Sequence, residues 1–310
     1  MKKIFFCDFC GEKNGKLLFV NFDHLTKKNK FFNLIKCGKC GLVYLSPKPK
    51  NIKKYYLDNY EPYNPHSKDL YFSFYQTLVK SFYKKKKTLI DLSKSVFCRI
   101  FYPQPTSECG KILDIGCGNG GYLSILKDGG WEVYGLDFSK KAVDFAQNER
   151  GLINIKQART EILDYPNNFF DLITMNHLIE HLPNPKKTLI EAKRVLKTGG
   201  IISITTPNFS SLNEKIFKTN WFPLETPRHL FLFEAKVLIK LIGEIDGLRV
   251  TKVKHDYSSY CFAKSLGYLL GNRPSLNRFL MTFKIFFLPY TYILSLTNHS
   301  DTMTIYAQKQ

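Results

Sequence analysis

Acidic side chains are scarce in this chain of 310 residues: 26 Asp and Glu stand against 46 Lys and Arg, a formal charge of +20. That deficit favours partners that carry phosphates, whether nucleic acid, nucleotide sugar or anionic membrane. The imbalance is uneven, with 21 Lys/Arg against 8 Asp/Glu over residues 1–108 and 25 against 18 over 109–310. A long hydrophobic run is also missing. The longest uncharged stretch of the apolar insert over 258–300, Ile285 to Ser300, has 16 residues with Pro289 inside it, below the roughly 18–20 that a bilayer-spanning helix needs. The apolar part of "MKKIFFCDFCGEK" is too short for an export signal, so a reducing cytoplasm is expected, with peripheral contact at the inner membrane face as an option. In that compartment the eight cysteines read as metal ligands or buried thiols, not disulfides. No internal repeat is present.

What remains is an ordinary globular composition, 44% hydrophobic and 15% aromatic, enough for one α/β domain with an appendage. Three blocks follow along the chain. Residues 1–46 carry two pairs of cysteines. Residues 47–108 are basic and aromatic, with apolar residues at helical spacing and a Lys84–Lys87 run. From 109 to 310 strands and helices alternate, the mark of a doubly wound, mostly parallel sheet, and an apolar insert covers 258–300.

The stretch "ILDIGCGNGG" poses the chemical question. Gly116-x-Gly118-x-x-Gly121 is a dinucleotide fingerprint, yet glycines that turn a strand tightly into a helix N-terminus serve any anionic or adenosine-bearing ligand. Asp114, inside the strand and two positions before Gly116, can counter a cationic ligand. Asp137 ends the next strand, where it can accept hydrogen bonds from both ribose hydroxyls.

With "NNFFDLITMNHLIEHL" and "LKTGGIISITTPN" added, residues 109–309 resemble the class I S-adenosylmethionine-dependent methyltransferases. Asp114, Gly116, Gly118 and Gly120 match that family's first motif and Asp137 its ribose acid. The resemblance implies a seven-stranded Rossmann-like sheet in the order 3-2-1-4-5-7-6, with "DTMTIYAQK" antiparallel. It places Thr160 and Glu161 near the adenine, Phe138 beside it, and Asn176 at the amino-acid end of the donor. Arg159 stands where many relatives carry an acid.

Cys7-x2-Cys10 and Cys37-x2-Cys40, each followed by glycine, have the two-knuckle spacing of a zinc ribbon, so a structural Zn²⁺ is expected. A four-cysteine block before such a domain is similar to bacterial enzymes that methylate sugars of nucleotide-linked or surface glycans. The expected acceptor is therefore a sugar or nucleotide-sugar hydroxyl.

Methyl transfer requires an aligned acceptor and removal of its proton. His181 is the candidate base, with Glu180 orienting it and His229, in "ETPRHLFLF", as a third catalytic candidate. "HLIEH" also resembles the Glu-x-x-Glu-His motif of magnesium-assisted quinone and small-RNA methyltransferases, with His177 in place of the first glutamate. A metal held by these nitrogens would more readily be Zn²⁺ or Fe²⁺. Trp221 and Phe222 read as an apolar wall for the acceptor. Two rival functions remain open: an RNA or tRNA methyltransferase, and a non-catalytic membrane-associated scaffold built around the insert.

Overall fold

The computed structural model describes residues 6–26, 30–56 and 109–310. Beyond Tyr56, the region over 47–108 that the sequence marks as helical and basic, including Lys84–Lys87, lies outside the described residues.

The N-terminal block folds as three antiparallel strands, β1 (Gly15–Phe22), β2 (Phe31–Cys37) and β3 (Val43–Ser46). From Lys111 the alternation appears as β4 (Lys111–Ile115), α1 (Gly121–Asp128), β5 (Glu132–Asp137), α2 (Lys140–Asn148), β6 (Ile155–Gln157), β7 (Phe170–Asn176), α3 (Pro185–Val195) and β8 (Leu196–Pro207). The remainder holds α4 (Leu212–Phe217), β9 (Phe231–Leu232), α5 (Ala235–Gly243), β10 (Leu248–Asp256), α6 (Ser259–Leu269), α7 (Pro274–Thr282), α8 (Leu288–Leu296) and β11 (Thr302–Lys309).

Seven strands join in the order β6-β5-β4-β7-β8-β11-β10. Pairing is parallel from β6 to β8, and β11 is antiparallel to both its neighbours. This is the order the resemblance implies. Ile112, Leu113 and Ile115 of β4 are wholly buried, as expected of a central strand covered on both faces.

Three segments differ from the sequence expectation. The helix expected through "LKTGG" ends at Val195, and β8 begins at Leu196. Phe170 pairs with Leu196 and Leu172 with Ile201, so the strand takes up Lys197–Gly200 as an irregularity. The polar segment read as a loop after β8 contains α4, capped by Ser211, whose Oγ accepts from Glu214 N at 3.0 Å. It also contains β9, which forms because Tyr44 and Val43 of β3 pair with Phe231 and Leu232. The four-stranded sheet β1-β2-β3-β9 thus draws its last strand from the larger domain. One hydrophobic core runs from Phe32, Ile35 and Leu45 to Met175, Val237 and Leu241.

Trp221 is core, not acceptor wall. Its side chain is 1% exposed, and its indole N–H donates to the buried Asp301 Oδ1 at 2.7 Å, the pairing a buried Trp requires.

Candidate active site

The parallel register builds the floor of the site. Asp114 of β4 pairs with Thr174 of β7, which brings their side chains together, and Thr174 Oγ1 donates to Asp114 Oδ1 at 2.6 Å. Asn176, two residues along the same face, places Nδ2 at 3.5 Å from that oxygen. The Asp114 side chain is buried. Burial pushes its carboxyl up to about 7, the Thr174 hydrogen bond works against that rise, and the charge of Asp137 adds to it. A buried carboxyl with so high a pKa stabilises a bound cation by ionising beside it.

The glycine loop leaves β4 at once. Gly116 N and Cys117 N both donate to Leu136 O, at 2.7 and 3.0 Å. Gly118 N donates to Asp137 Oδ2 at 2.9 Å, and Ser139 N to Asp137 Oδ1 at 2.8 Å. Asp137 therefore ties the loop to the tip of β5 and keeps lone pairs for a further donor. Burial raises its pKa. Gly116 has φ +78°, and a Cβ there would stand 2.8 Å from Leu178 Cδ1; the bare backbone keeps the segment that leads to His181 close to the loop. Gly120, at φ +73°, is the N-cap of α1.

The other candidate residues surround this floor. Phe138, 40% exposed, follows Asp137 and meets the Tyr56 ring edge-on at 5.5 Å between centroids. Gln157 Nε2 donates to Phe138 O at 3.0 Å. Thr160 and Glu161 are half-buried on the loop after β6, with Thr160 Oγ1 at 3.3 Å from Thr188 Oγ1. A buried carboxylate for a cation, a second at a strand tip for hydroxyls, and a glycine-rich loop between them fit S-adenosylmethionine.

Beyond β7, His177 adopts φ +49° and the chain turns through a 3-10 helix, Ile179–His181. Glu180 is fully buried. Its Oε2 accepts from Thr206 Oγ1 at 2.9 Å. Its Oε1 is buried without a hydrogen bond, with His177 Nδ1 at 3.5 Å and His229 Nε2 at 3.9 Å. Burial alone would raise the Glu180 pKa, but the surrounding imidazoles of His177, His229 and His181 outweigh it and hold the carboxyl at about 2.

His181 is half-buried. Its Nδ1 lies 3.1 Å from Arg228 O and 3.0 Å from Tyr56 Oη. A carbonyl oxygen only accepts, so Nδ1 carries the proton and Nε2 the lone pair. His229 packs edge-on against the His181 ring, 4.5 Å between centroids. Its Nδ1–H donates to Pro223 O at 2.7 Å. Burial, reinforced by the neighbouring His181 ring, brings His229 down to about 4, so at neutral pH it is an uncharged packing partner. Glu180, His181 and His229 each offer a donor atom within 4.8 Å of the others.

Sequence reasoning missed Tyr56, Thr206 and Arg228. Arg228 is buried and bonds Asp23 Oδ1 and Oδ2 at 3.1 and 3.2 Å, Tyr55 O at 3.1 Å and Glu225 Oε1 at 2.9 Å. It therefore fixes the carbonyl that holds His181. The only signals were "KKYY" closing the cysteine block and the compact "PRH".

At the far end of the smaller sheet, Cys7, Cys10, Cys37 and Cys40 place their sulfurs within 4.8 Å of one another. The Cys7–Cys40 and Cys10–Cys37 separations are 3.7 and 3.5 Å, close to the roughly 3.8 Å between thiolates on one tetrahedral zinc. Gly11 N and Gly41 N close the two turns onto Cys7 O and Cys37 O at 2.9 and 3.2 Å. The four thiols fit Zn²⁺.

A family model described as a methyltransferase domain matches residues 72–253. The ubiquinone biosynthesis O-methyltransferase of Azoarcus sp. (strain BH72) is 34% identical over 111 residues, 33% of this chain and 47% of that protein. The malonyl-[acyl-carrier protein] O-methyltransferase of Enterobacter lignolyticus (strain SCF1) is 27% identical over 145 residues, 47% of this chain and 56% of that protein. The chain thus spans about half the length of the curated relatives it matches. A crystal structure of a SAM-dependent methyltransferase from Archaeoglobus fulgidus covers 78% of this chain and 100% of its own at 19% identity and a TM-score of 0.46. With the strand order, the glycine loop and the two strand-end acids in place, the match over residues 72–253 means that the chain belongs to the class I S-adenosylmethionine-dependent methyltransferase-domain family.

Proposed function

We propose that the chain moves a methyl group from S-adenosylmethionine to an acceptor oxygen, and that the acceptor is a sugar hydroxyl in glycan or nucleotide-sugar biosynthesis. One observation carries the reading of O-methylation: His181 is held at Nδ1 by the Arg228 carbonyl, which leaves Nε2 with a lone pair to act as a base. The relatives at 34% and 27% identity, both O-methyltransferases by name, support an oxygen acceptor. The sugar rests on the four-cysteine block, which would hold a structural zinc.

When bound, S-adenosylmethionine supplies an activated methyl group on a sulfonium centre. Asp114 balances the positive end of the donor, and Asn176 binds near its amino-acid portion. Asp137 accepts from the ribose, while Phe138 and the backbone of Thr160 and Glu161 border the adenine. His181 Nε2 takes the acceptor proton. Glu180, anchored by Thr206, stabilises the imidazolium that results, and His229 packs against that ring.

The deciding experiment is calorimetric titration with S-adenosylhomocysteine, coupled to a labelled-methyl assay over nucleotide sugars, lipid-linked glycans and hydroxylated phenols. Asp114→Ala with Asp137→Ala should abolish binding. His181→Gln should bind like the wild type and lose about 10²- to 10⁴-fold in turnover. No binding by folded wild-type protein removes the enzyme reading, and methylation confined to phenols replaces the sugar. The unbonded Glu180 Oε1 favours a second reading, in which Glu180, His181 and His229 hold a divalent ion. Turnover that depends on added divalent cation would select it.

A further inference from the structure

Among the described residues no single helix is long and apolar enough to cross a membrane. The insert over 258–300 nevertheless carries an exposed apolar face that no element among the described residues covers. Phe279 is 57% exposed, Ile285 64%, Phe286 74%, Ile293 59% and Leu296 65%. These residues are contiguous. The Phe279 and Phe283 rings meet at 4.7 Å between centroids and Phe283 stacks on Phe286 at 6.1 Å. From Phe286, helical spacing continues the same stripe along α8 through Pro289, Ile293 and Leu296.

The opposite faces of these helices are committed to the protein. Leu280, Thr291 and Leu294 are buried, and Tyr290 Oη donates to Asn213 Oδ1 at 2.8 Å. The helices therefore lie along the body, and their outer stripe stays in contact with solvent. Charge identifies what covers it. Residues 258–300 contain Lys264, Arg273, Arg278 and Lys284 and no Asp or Glu. Arg273 and Arg278 are exposed beside the aromatic residues. Long apolar side chains on a segment whose only formal charges are cations complement the interface of an anionic bilayer, where the apolar face enters the acyl boundary and each cation near the surface strengthens binding about fivefold.

We infer that α7, the turn at 284–287 and the outer face of α8 form a monotopic docking surface for an anionic lipid bilayer. The surface is joined to the candidate active site. Phe222 N donates to Ser265 Oγ of α6 at 2.8 Å, and Tyr260 of α6 meets the Phe222 ring edge-on at 5.5 Å. The next residue, Pro223, holds His229. Docking would keep the acceptor side of the site near the membrane face, and it does not require that the methyltransferase reading be correct.

The test is co-sedimentation of the full chain with vesicles of phosphatidylcholine containing phosphatidylglycerol, beside vesicles of phosphatidylcholine alone. Binding to the anionic vesicles is expected, weakening as salt is raised. Phe286→Asp with Ile293→Asp should reduce it by at least about tenfold, as should Arg273→Glu with Arg278→Glu. These side chains are exposed, so thermal unfolding of both variants should match the wild type. Three results would overturn the inference: no sedimentation with anionic vesicles, equal sedimentation with neutral ones, or unchanged binding by both variants. A concentration-dependent dimer that Phe286→Asp with Ile293→Asp dissociates, without vesicle binding, would assign the face to a second copy of the chain instead.

Discussion

Asp114 shows at the scale of one residue how the site stores energy for binding. In the unfolded chain its carboxyl ionises near 3.8, and in the folded chain at about 7 because burial disfavours the charge. A carboxyl raised on folding costs the native state nothing below 3.8. The cost grows as pH rises through the interval and is fully present above about 7. Asp114→Asn, which keeps an oxygen for Thr174, should therefore leave stability near wild type at pH 4 and raise it at pH 8, by on the order of 4 kcal/mol. Denaturant unfolding of both proteins at the two pH values checks this, and equal stabilities at pH 8 would remove the argument. The same substitution should weaken S-adenosylhomocysteine binding at pH 8, because the carboxylate that costs stability is the group a cation rewards.

At the scale of the element, the determinant is register. Thr174 reaches Asp114 only because β4 and β7 pair as they do, and it is wholly buried. Thr174→Val keeps the shape and removes the donor. It should lower S-adenosylhomocysteine affinity about tenfold, the worth of one hydrogen bond to a charged group, and calorimetry reads the change directly. Elements of this kind were legible in the sequence because their signals are local. Asp114 and the glycines sit within a few residues of one another, and the strand–helix alternation has its own periodicity. His181 and Glu180 were legible for the same reason. Tyr56 was not, since its contact with His181 spans 125 positions, and β9 was not, since two residues become a strand only by pairing with β3. Trp221 was misread because an aromatic in a polar loop looks like a wall until its buried partner, Asp301, is seen.

At the scale of the molecule, the cysteine-bearing sheet and the larger sheet pack as one body. They share β9 and a continuous core, and across that junction Arg228 meets Asp23 with both side chains almost fully buried. Removing Asp23 leaves the buried Arg228 with Glu225 as its remaining counter-ion and with the N–H groups that faced Asp23 unpaired, which costs up to about 3–5 kcal/mol, whereas replacing both partners with apolar side chains is close to neutral. Asp23→Leu should therefore lower stability by about that amount, and Asp23→Leu with Arg228→Met should recover most of it. Unfolding followed by far-UV circular dichroism and by the fluorescence of the two buried tryptophans, Trp131 and Trp221, should remain a single coincident transition in both variants. A separate early transition in Asp23→Leu would instead mean that the cysteine-bearing sheet melts by itself. That result would also break the chain of contacts from Asp23 through Arg228 to His181, so loss of the small sheet would reach the candidate base before the larger sheet unfolds.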